Sequence, residues 1–190
     1  MLLEEAIRNR RSIGKVKPDP VERALIEQLI EAATWAPNHH GTEPWKFIVM
    51  AGDGRQTLGE AYASIAAGSL QDMEGKALED RLDKERAKAL RAPVVIAVVC
   101  TPSDSPRVTA IEELAAAHTA VQNLLLTAHA LGLGAVWRSG DPMYHPLMHD
   151  AFGLSESEKL VALVYIGYPD LVPPAGKRQA AASKTVWLEG

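Results

Sequence analysis

The sequence predicts an α+β fold in which helices cover a central sheet of four or five strands. Two continuous apolar runs, PVVIAVVC at 93–100 and LVALVYIGYP at 160–169, have the composition of strands that are buried on both faces. Between them, residues 111–134 repeat apolar positions at helical spacing over the longest helical stretch of the chain. This mixed order of strands and helices is typical of a sheet packed against helices.

The rest of the chain supplies the other predicted elements. The runs KFIVMA at 46–51 and AVWRS at 135–139 indicate two further strands, and TVWLE at 185–189 is a candidate for a last one. No internal repeat or linker interrupts the chain, so we expect a single domain over residues 1–190. Helices are predicted at 2–10, 20–36 and 146–152, and a helical tendency extends from 54 to 91 with a weak point at the small residues 66–69.

Composition excludes several classes of protein. The 190 residues have a net charge of −4, which gives no basic excess for a nucleic-acid partner. The lone cysteine, Cys100, rules out a disulfide within the chain and a thiolate metal cluster. The first residues carry acids where a secretory signal has bases, and no apolar run reaches the length of a membrane span. We therefore expect a cytoplasmic protein without a nucleic-acid or membrane partner.

The stretch WAPNHHGTEPW, residues 35–45, is the most unusual in composition. Its adjacent histidines, His39 and His40, would point apart in an extended segment. A second pair, His145 and His149, has a spacing compatible with zinc, but the sequence offers no third ligand. The sequence therefore favours no metal site, and a metal-binding module built on the second pair is the weakest of three hypotheses.

Motifs for nucleophilic catalysis or nucleotide binding are absent from the sequence. There is no GxSxG, no P-loop and no complete GxGxxG, and Cys100 lies in an apolar run that predicts an inert, buried thiol. We therefore name no catalytic residue of the protein itself.

The triplet Arg10-Arg11-Ser12 allows two interpretations. Two guanidinium groups and a hydroxyl form a compact receptor for phosphate oxygens. Cations that follow a helix also complement the dipole at its C-terminus, without any ligand. A second basic group would favour the phosphate site, and Lys177-Arg178 in the tail is a candidate.

Three segments, taken together and in order, resemble the nitroreductase family of flavin enzymes, and in particular its short branch of under 200 residues. They are RNRRSIGKV at 8–16, EAATWAPNHHGTEPWKFIVM at 31–50 and LGLGAVWRSG at 131–140. The resemblance covers essentially the whole chain. It implies a mostly antiparallel sheet and an FMN held non-covalently at the interface of a homodimer.

The resemblance also implies roles for individual residues. It places Arg10, Arg11 and Ser12 on the phosphate and ribityl side of FMN, with Lys177 or Arg178 near the phosphate. It places Trp35, Pro37, Asn38 and His39 against the flavin of the partner subunit, and Trp137, Arg138 and Ser139 along the isoalloxazine ring.

The implied activity is that of an NAD(P)H-dependent oxidoreductase. FMN takes a hydride from NAD(P)H and then reduces an electron-poor acceptor such as a nitroaromatic or a quinone. A cation such as Arg138 would stabilise the negative charge of the reduced ring. The alanines 115–117 indicate a helix surface that a second copy could approach closely, or else burial in the chain's own core.

Two positions depart from the family pattern. Glu43 stands where many relatives have glutamine, and the bulky Trp35 stands where relatives have a basic or small residue. The Trp35 ring could narrow the space over the flavin. The alternative hypothesis is therefore a flavin-binding protein with little turnover. Trp45, in contrast, is predicted to lie in the core.

Overall fold

Four strands form the central sheet of the computed structural model, which describes residues 1–189. The strands are β1 (Trp45–Ala51), β2 (Val94–Cys100), β3 (Gly134–Arg138) and β4 (Lys159–Gly167). They lie in the order β1-β2-β4-β3, and each neighbouring pair is antiparallel. This arrangement confirms the predicted α+β class and the mostly antiparallel sheet.

The central strand β2 separates two hydrophobic cores. All of its side chains are buried, as its continuous apolar run predicts. Because successive residues of a strand point to opposite faces, Val94, Ile96 and Val98 belong to one core and Val95 and Val99 to the other.

The six α-helices within residues 1–189 are α1 (Leu3–Asn9), α2 (Arg23–Thr34), α3 (Gln56–Ala67), α4 (Gly75–Arg86), α5 (Ala110–Ala130) and α6 (Pro146–Ala151). Four of them cover the two faces of the sheet. The first core lies between the sheet and α2 and α5, which also pack on each other, and it contains Trp45, as predicted. The second core lies under α3 and α6.

The structure corrects one expectation from the sequence and decides two others. The tail segment 185–189 is not a strand of this sheet, and Trp187 is 78% exposed. The helical region 54–91 is broken where α3 ends, next to the small residues 66–69, since turns occupy most of 68–74. Of the alanines 115–117, Ala116 and Ala117 are buried in the first core, whereas Ala115 is exposed.

The segment Ser12–Val16 lies along the outer edge of the sheet. Ser12 forms a parallel bridge with Ala135 of β3, and Val16 forms an antiparallel bridge with Pro169. This close approach requires a glycine at position 134 of β3. A Cβ on Gly134 would come within 2.9 Å of Ile13 Cγ2, a separation that carbon atoms of neighbouring side chains do not adopt.

No helix within residues 1–189 is both long enough and apolar enough to cross a membrane.

Candidate functional site

The Ser12–Ala135 bridge brings two of the three resembling segments into contact. Ser139 lies four residues beyond Ala135, which is about 13 Å along an extended strand. Near that end, the guanidinium of Arg138 lies close to Gly14. The triplet that begins at Arg10 and the residues Arg138 and Ser139 therefore lie at the two ends of the surface along the β3 edge of the sheet.

Arginine side chains gather at the first end of this surface. Burial lowers the pKa of half-buried Arg10, and the nearby charges of Arg11 and Arg178 lower it further. Of the two basic residues in the tail, Arg178 is the one whose charge acts on Arg10. Its neighbour Lys177 is exposed. Three guanidinium groups brought so close together form a strongly positive patch that suits a phosphate.

Arg11 also makes the contacts expected of a cation that follows a helix. Its Nη1 donates to the carbonyl oxygens of Arg8 at 2.7 Å and Arg10 at 2.8 Å, and its Nε donates to Pro174 O at 3.3 Å. Arg11 therefore caps the end of α1 and fastens the tail. Of the two interpretations of the triplet, helix capping applies to Arg11, while the Arg10 side chain makes no such contact within residues 1–189 and remains available as the receptor.

His129 joins this patch, although the sequence reasoning did not select it. It lies in the last turn of α5, and its buried Nε2 has no hydrogen-bond partner within residues 1–189. Burial, followed by the charges of Arg10 and Arg11, lowers the pKa of His129. Nothing in the sequence indicates this proximity, because more than a hundred residues separate the histidine from the arginines.

A cavity of about 450 Å³ opens at the other end of the surface, beside the C-terminus of β3. The Arg138 guanidinium lies 5.4 Å from the centre of the Tyr165 ring, and its buried Nε has no hydrogen-bond partner within residues 1–189. Three cationic side chains make this an anion-attracting cavity. Its polar lining consists of Tyr62, Lys88, Arg91, Arg138, Ser139 and Tyr165.

The side chains of Trp137 and Arg138 lie on opposite faces of the sheet. Trp137 packs on the first core and stacks on His118, with ring centres 5.5 Å apart. Arg138 lies on the other face, against Tyr165. Consecutive strand residues must diverge in this way. All three residues of the predicted ring-contacting triplet line the cavity, where Arg138 and Ser139 supply polar groups, while the Trp137 ring packs on the first core.

The loop at 35–45 is held to α5 by a buried carboxylate. Glu113 has no exposed surface, and it accepts hydrogen bonds from Thr42 Oγ1 at 2.6 Å and from the Ser103 N–H at 3.0 Å. Within the loop, Asn38 Oδ1 accepts from the Glu43 N–H at 3.0 Å. These contacts fix the loop against the N-terminal half of α5.

The adjacent histidines do not point apart, which corrects our expectation. Their rings stack at a centre-to-centre distance of 3.9 Å, because His40 adopts a left-handed backbone with φ of 59°. His39 Nδ1 lies 2.8 Å from Glu112 Oε2, so this pair is a second fastening of the loop to α5.

The two side chains that depart from the family pattern, Trp35 and Glu43, both lie on the surface. The Trp35 side chain is 78% exposed, and its Nε1 donates to Glu31 Oε1 at 3.1 Å. Glu43 is also exposed, at a residue with φ of 48°. Neither side chain reaches the cavity beside Arg138 of its own chain.

The loop and the arginine patch lie near opposite ends of α5. The loop contacts Glu112 and Glu113, whereas the patch surrounds His129, sixteen residues or more further along. At 1.5 Å per residue this is about 25 Å along the helix. One chain alone therefore does not bring both predicted parts of the site to the same ligand.

His145 and His149 do not form a metal centre in this structure. His145 caps α6, where its Nδ1 accepts a hydrogen bond from the Leu147 N–H at 3.2 Å. Within residues 1–189, no three His, Cys, Asp or Glu side chains come together as metal ligands would.

Comparison with known proteins decides the family. The model of the "Nitroreductase family" matches residues 7–168, which is most of the chain. The chain belongs to the nitroreductase family. The Bacillus subtilis (strain 168) relative named "Putative NAD(P)H nitroreductase YfhC" is 37% identical to this family member over 178 residues, 93% of this chain and 89% of its own length.

Solved structures agree with the fold of this nitroreductase-family protein. A nitroreductase-like family protein from Bacillus cereus superposes with a TM-score of 0.85 at 30% identity, covering 100% of this chain and 97% of its own. A Desulfovibrio desulfuricans protein crystallised in complex with FMN superposes with a TM-score of 0.75 at 25% identity, covering 100% of this chain and 98% of its own.

Proposed function

We propose that this protein is an FMN-dependent NAD(P)H oxidoreductase that reduces nitroaromatics, quinones or similar electron-poor acceptors. One observation carries the proposal: in this nitroreductase-family chain, Ser12 forms a bridge with Ala135 at one end of β3, while Arg138 and Ser139 lie at the other end of the same strand. The surface has an arginine patch at one end and a cationic cavity at the other.

The residues present fit FMN on chemical grounds. Arg10 and Arg178, with the Ser12 hydroxyl, provide charged and polar donors for a phosphate. The unpartnered Nε–H of Arg138 is a buried donor that a ring carbonyl or ring nitrogen would satisfy. When bound, the flavin would accept a hydride from NAD(P)H and pass the electron pair to the acceptor.

The chain's own residues would then hold the ring and stabilise charge. Arg138, Lys88 and Arg91 place positive charge around the cavity, where it favours an anionic reduced ring over a neutral oxidised one. The stacking of Tyr165 on Arg138 and of His118 on Trp137 keeps β3 rigid at this point. Such preorganised charge needs little rearrangement when the ring is reduced.

A homodimer would complete the site. Because Trp35, Pro37, Asn38 and His39 lie about 25 Å along α5 from the arginine patch, only a second copy can bring them to the same flavin. Large apolar residues exposed near both termini support such an interface, since water contact disfavours them. They are Leu2, Leu3, Ile7, Val186, Trp187 and Leu188. Sedimentation that found a monomer with tightly bound FMN would contradict this arrangement.

The activity is tested by anaerobic spectroscopy of the purified protein with bound FMN. We expect NADH or NADPH to bleach the flavin absorption band, and a nitroaromatic or quinone to restore it. Protein that binds FMN but is not bleached by either nucleotide would contradict the oxidoreductase proposal. Protein that takes up no FMN would contradict the cofactor as well.

The alternative, a flavin-binding protein with little turnover, depends on Trp35. Its exposed ring, which donates a hydrogen bond to Glu31, lies on the loop that would face the partner's flavin. Steady-state oxidation of NAD(P)H by wild type and by a Trp35→Ala variant separates the two. Slow turnover that rises sharply in the variant would favour occlusion by the ring, whereas rapid turnover by wild type would exclude it.

A further inference from the structure

Two tyrosine hydroxyl groups at the cationic cavity form one hydrogen bond with each other and keep one O–H group free to donate. Tyr62 on α3 and Tyr165 on β4 have their hydroxyl oxygens 3.3 Å apart, and neither hydroxyl has another hydrogen-bond partner within residues 1–189. A contact between two hydroxyl groups uses one hydrogen, as one group donates and the other accepts. The pair therefore retains one O–H that can donate elsewhere.

Burial decides which hydroxyl keeps the spare hydrogen. Tyr165 is 3% exposed, and its hydroxyl has only Tyr62 as a neighbour that can accept. A buried donor without an acceptor costs free energy, so Tyr165 donates to Tyr62. Tyr62 is half-buried and lines both the cationic cavity and the small recess beside Arg138 and Ser139. Its own O–H is therefore directed to whatever occupies the cavity.

We propose that Tyr62, supported by the hydrogen bond from Tyr165, donates to an acceptor atom on the edge of the flavin ring and thereby raises its reduction potential. This inference rests on the proposed function. A donor aimed at the edge where negative charge develops stabilises the reduced ring more than the oxidised one. The bond from Tyr165 polarises the Tyr62 hydroxyl and makes it a stronger donor.

The surroundings keep the Tyr62 hydroxyl protonated. Burial raises its pKa above the usual value for tyrosine, although the charges of Arg138 and Arg91 oppose this effect. The phenol therefore remains a donor throughout the neutral pH range.

The test compares Tyr62→Phe with two other variants. Tyr62→Phe removes the donor, Tyr165→Phe removes only its support, and the exposed Tyr144→Phe is the matched control. The affinities of oxidised and reduced FMN and the midpoint potential are measured for each protein. Thermal unfolding establishes that the variants are folded.

For Tyr62→Phe we expect reduced FMN to lose about 2- to 10-fold more affinity than oxidised FMN, the size of one hydrogen bond. This ratio corresponds to a potential lower by about 9–30 mV for a two-electron couple. Tyr165→Phe should shift the potential less in the same direction, and Tyr144→Phe should leave it unchanged.

Two kinds of failure are distinguishable. If Tyr62→Phe binds FMN with an unchanged potential, or weakens both redox forms equally, the tyrosine assignment is wrong while the proposed function stands. If wild-type protein binds no FMN, the proposed function fails and the tyrosine assignment fails with it.

Discussion

The backbone N–H of Ile13 donates to the carbonyl oxygen of Ala135 at 2.9 Å. This single hydrogen bond joins a segment near the start of the chain to an edge strand more than 120 residues later. It places Ser12, the last residue of the arginine triplet, beside the N-terminal end of β3, and Arg138 lies at the other end of this strand. The whole proposed flavin surface depends on this edge contact.

Gly134→Ala should disrupt that contact. The added methyl group would meet Ile13 Cγ2 at 2.9 Å, and Ile13 is buried and cannot turn away. Overpacking of this kind costs about 1–3 kcal/mol of stability. We expect a lower melting temperature and weaker FMN binding, measured by calorimetry and flavin fluorescence. Gly54→Ala, where an added Cβ has open space, is the control; equal losses in both variants would refute the packing argument.

Arg10→Met should weaken FMN much more than riboflavin, because only FMN carries a phosphate. Hydrogen bonds to charged groups contribute about 1.5–3 kcal/mol, so we expect about a 10- to 100-fold loss of FMN affinity. Titration followed by fluorescence measures both ligands. Arg8→Met is the matched control, since Arg8 is exposed and pairs with Glu4. A similar loss for FMN and riboflavin would remove Arg10 from the phosphate site.

Thr42→Val should loosen the loop that carries Asn38 and His39. The Thr42 hydroxyl donates to the buried carboxylate of Glu113, and its loss leaves that charge with one donor fewer. The expected cost is about 1.5–3 kcal/mol in the free energy of unfolding, measured with urea. Thr57→Val, at an exposed position of α3, should cost much less. Unfolding curves that coincide for the two variants would show that the carboxylate does not need this contact.

Stability should fall as the pH rises from about 9 to 11, in part because of Cys100. Burial, followed by the negative charge of Glu113, raises the pKa of the Cys100 thiol from 9.0 to about 11. In that window the unfolded chain loses the thiol proton while the folded chain keeps it, so ionisation favours unfolding. The contribution is present below pH 9 and lost as the pH approaches 11.

The measurement is urea unfolding at several pH values for wild type and Cys100→Ala. The variant should show a flatter decline between pH 9 and 11, by at most about 1.4 kcal/mol per pH unit. In wild type, iodoacetamide at pH 8 should label Cys100 only after unfolding, because the folded thiol is both buried and protonated. Parallel declines would mean that the thiol makes no contribution.

Some parts of the fold follow from local patterns of residues. The apolar runs at 93–100 and 160–169 contain strands, and 111–134 contains the long helix. In each case the spacing of apolar residues along the chain indicates which side chains are buried. The tail segment TVWLE has a strand-like composition as well, but within residues 1–189 it does not pair as a strand. A strand needs a neighbour, and composition cannot say whether one is present.

Other relationships at the site cannot be read from local patterns. The stacking of His39 on His40 depends on one left-handed residue, and the Tyr62–Tyr165 pair joins α3 to β4 across about a hundred residues. The place of His129 beside Arg10 likewise depends on how α1 packs on α5. None of these contacts is signalled by spacing along the chain.

Periodicity and short motifs are local properties of the chain, so the α+β class, the main strands and helices, and the resemblance to the nitroreductase family follow directly from the order of residues. The approach of Arg178 to Arg10, the divergence of Trp137 and Arg138 to opposite faces, and the meeting of two tyrosines at the cationic cavity emerge on folding. Such charge proximity and cavity lining arise from packing between elements far apart in sequence, because each contact depends on the position of the whole sheet.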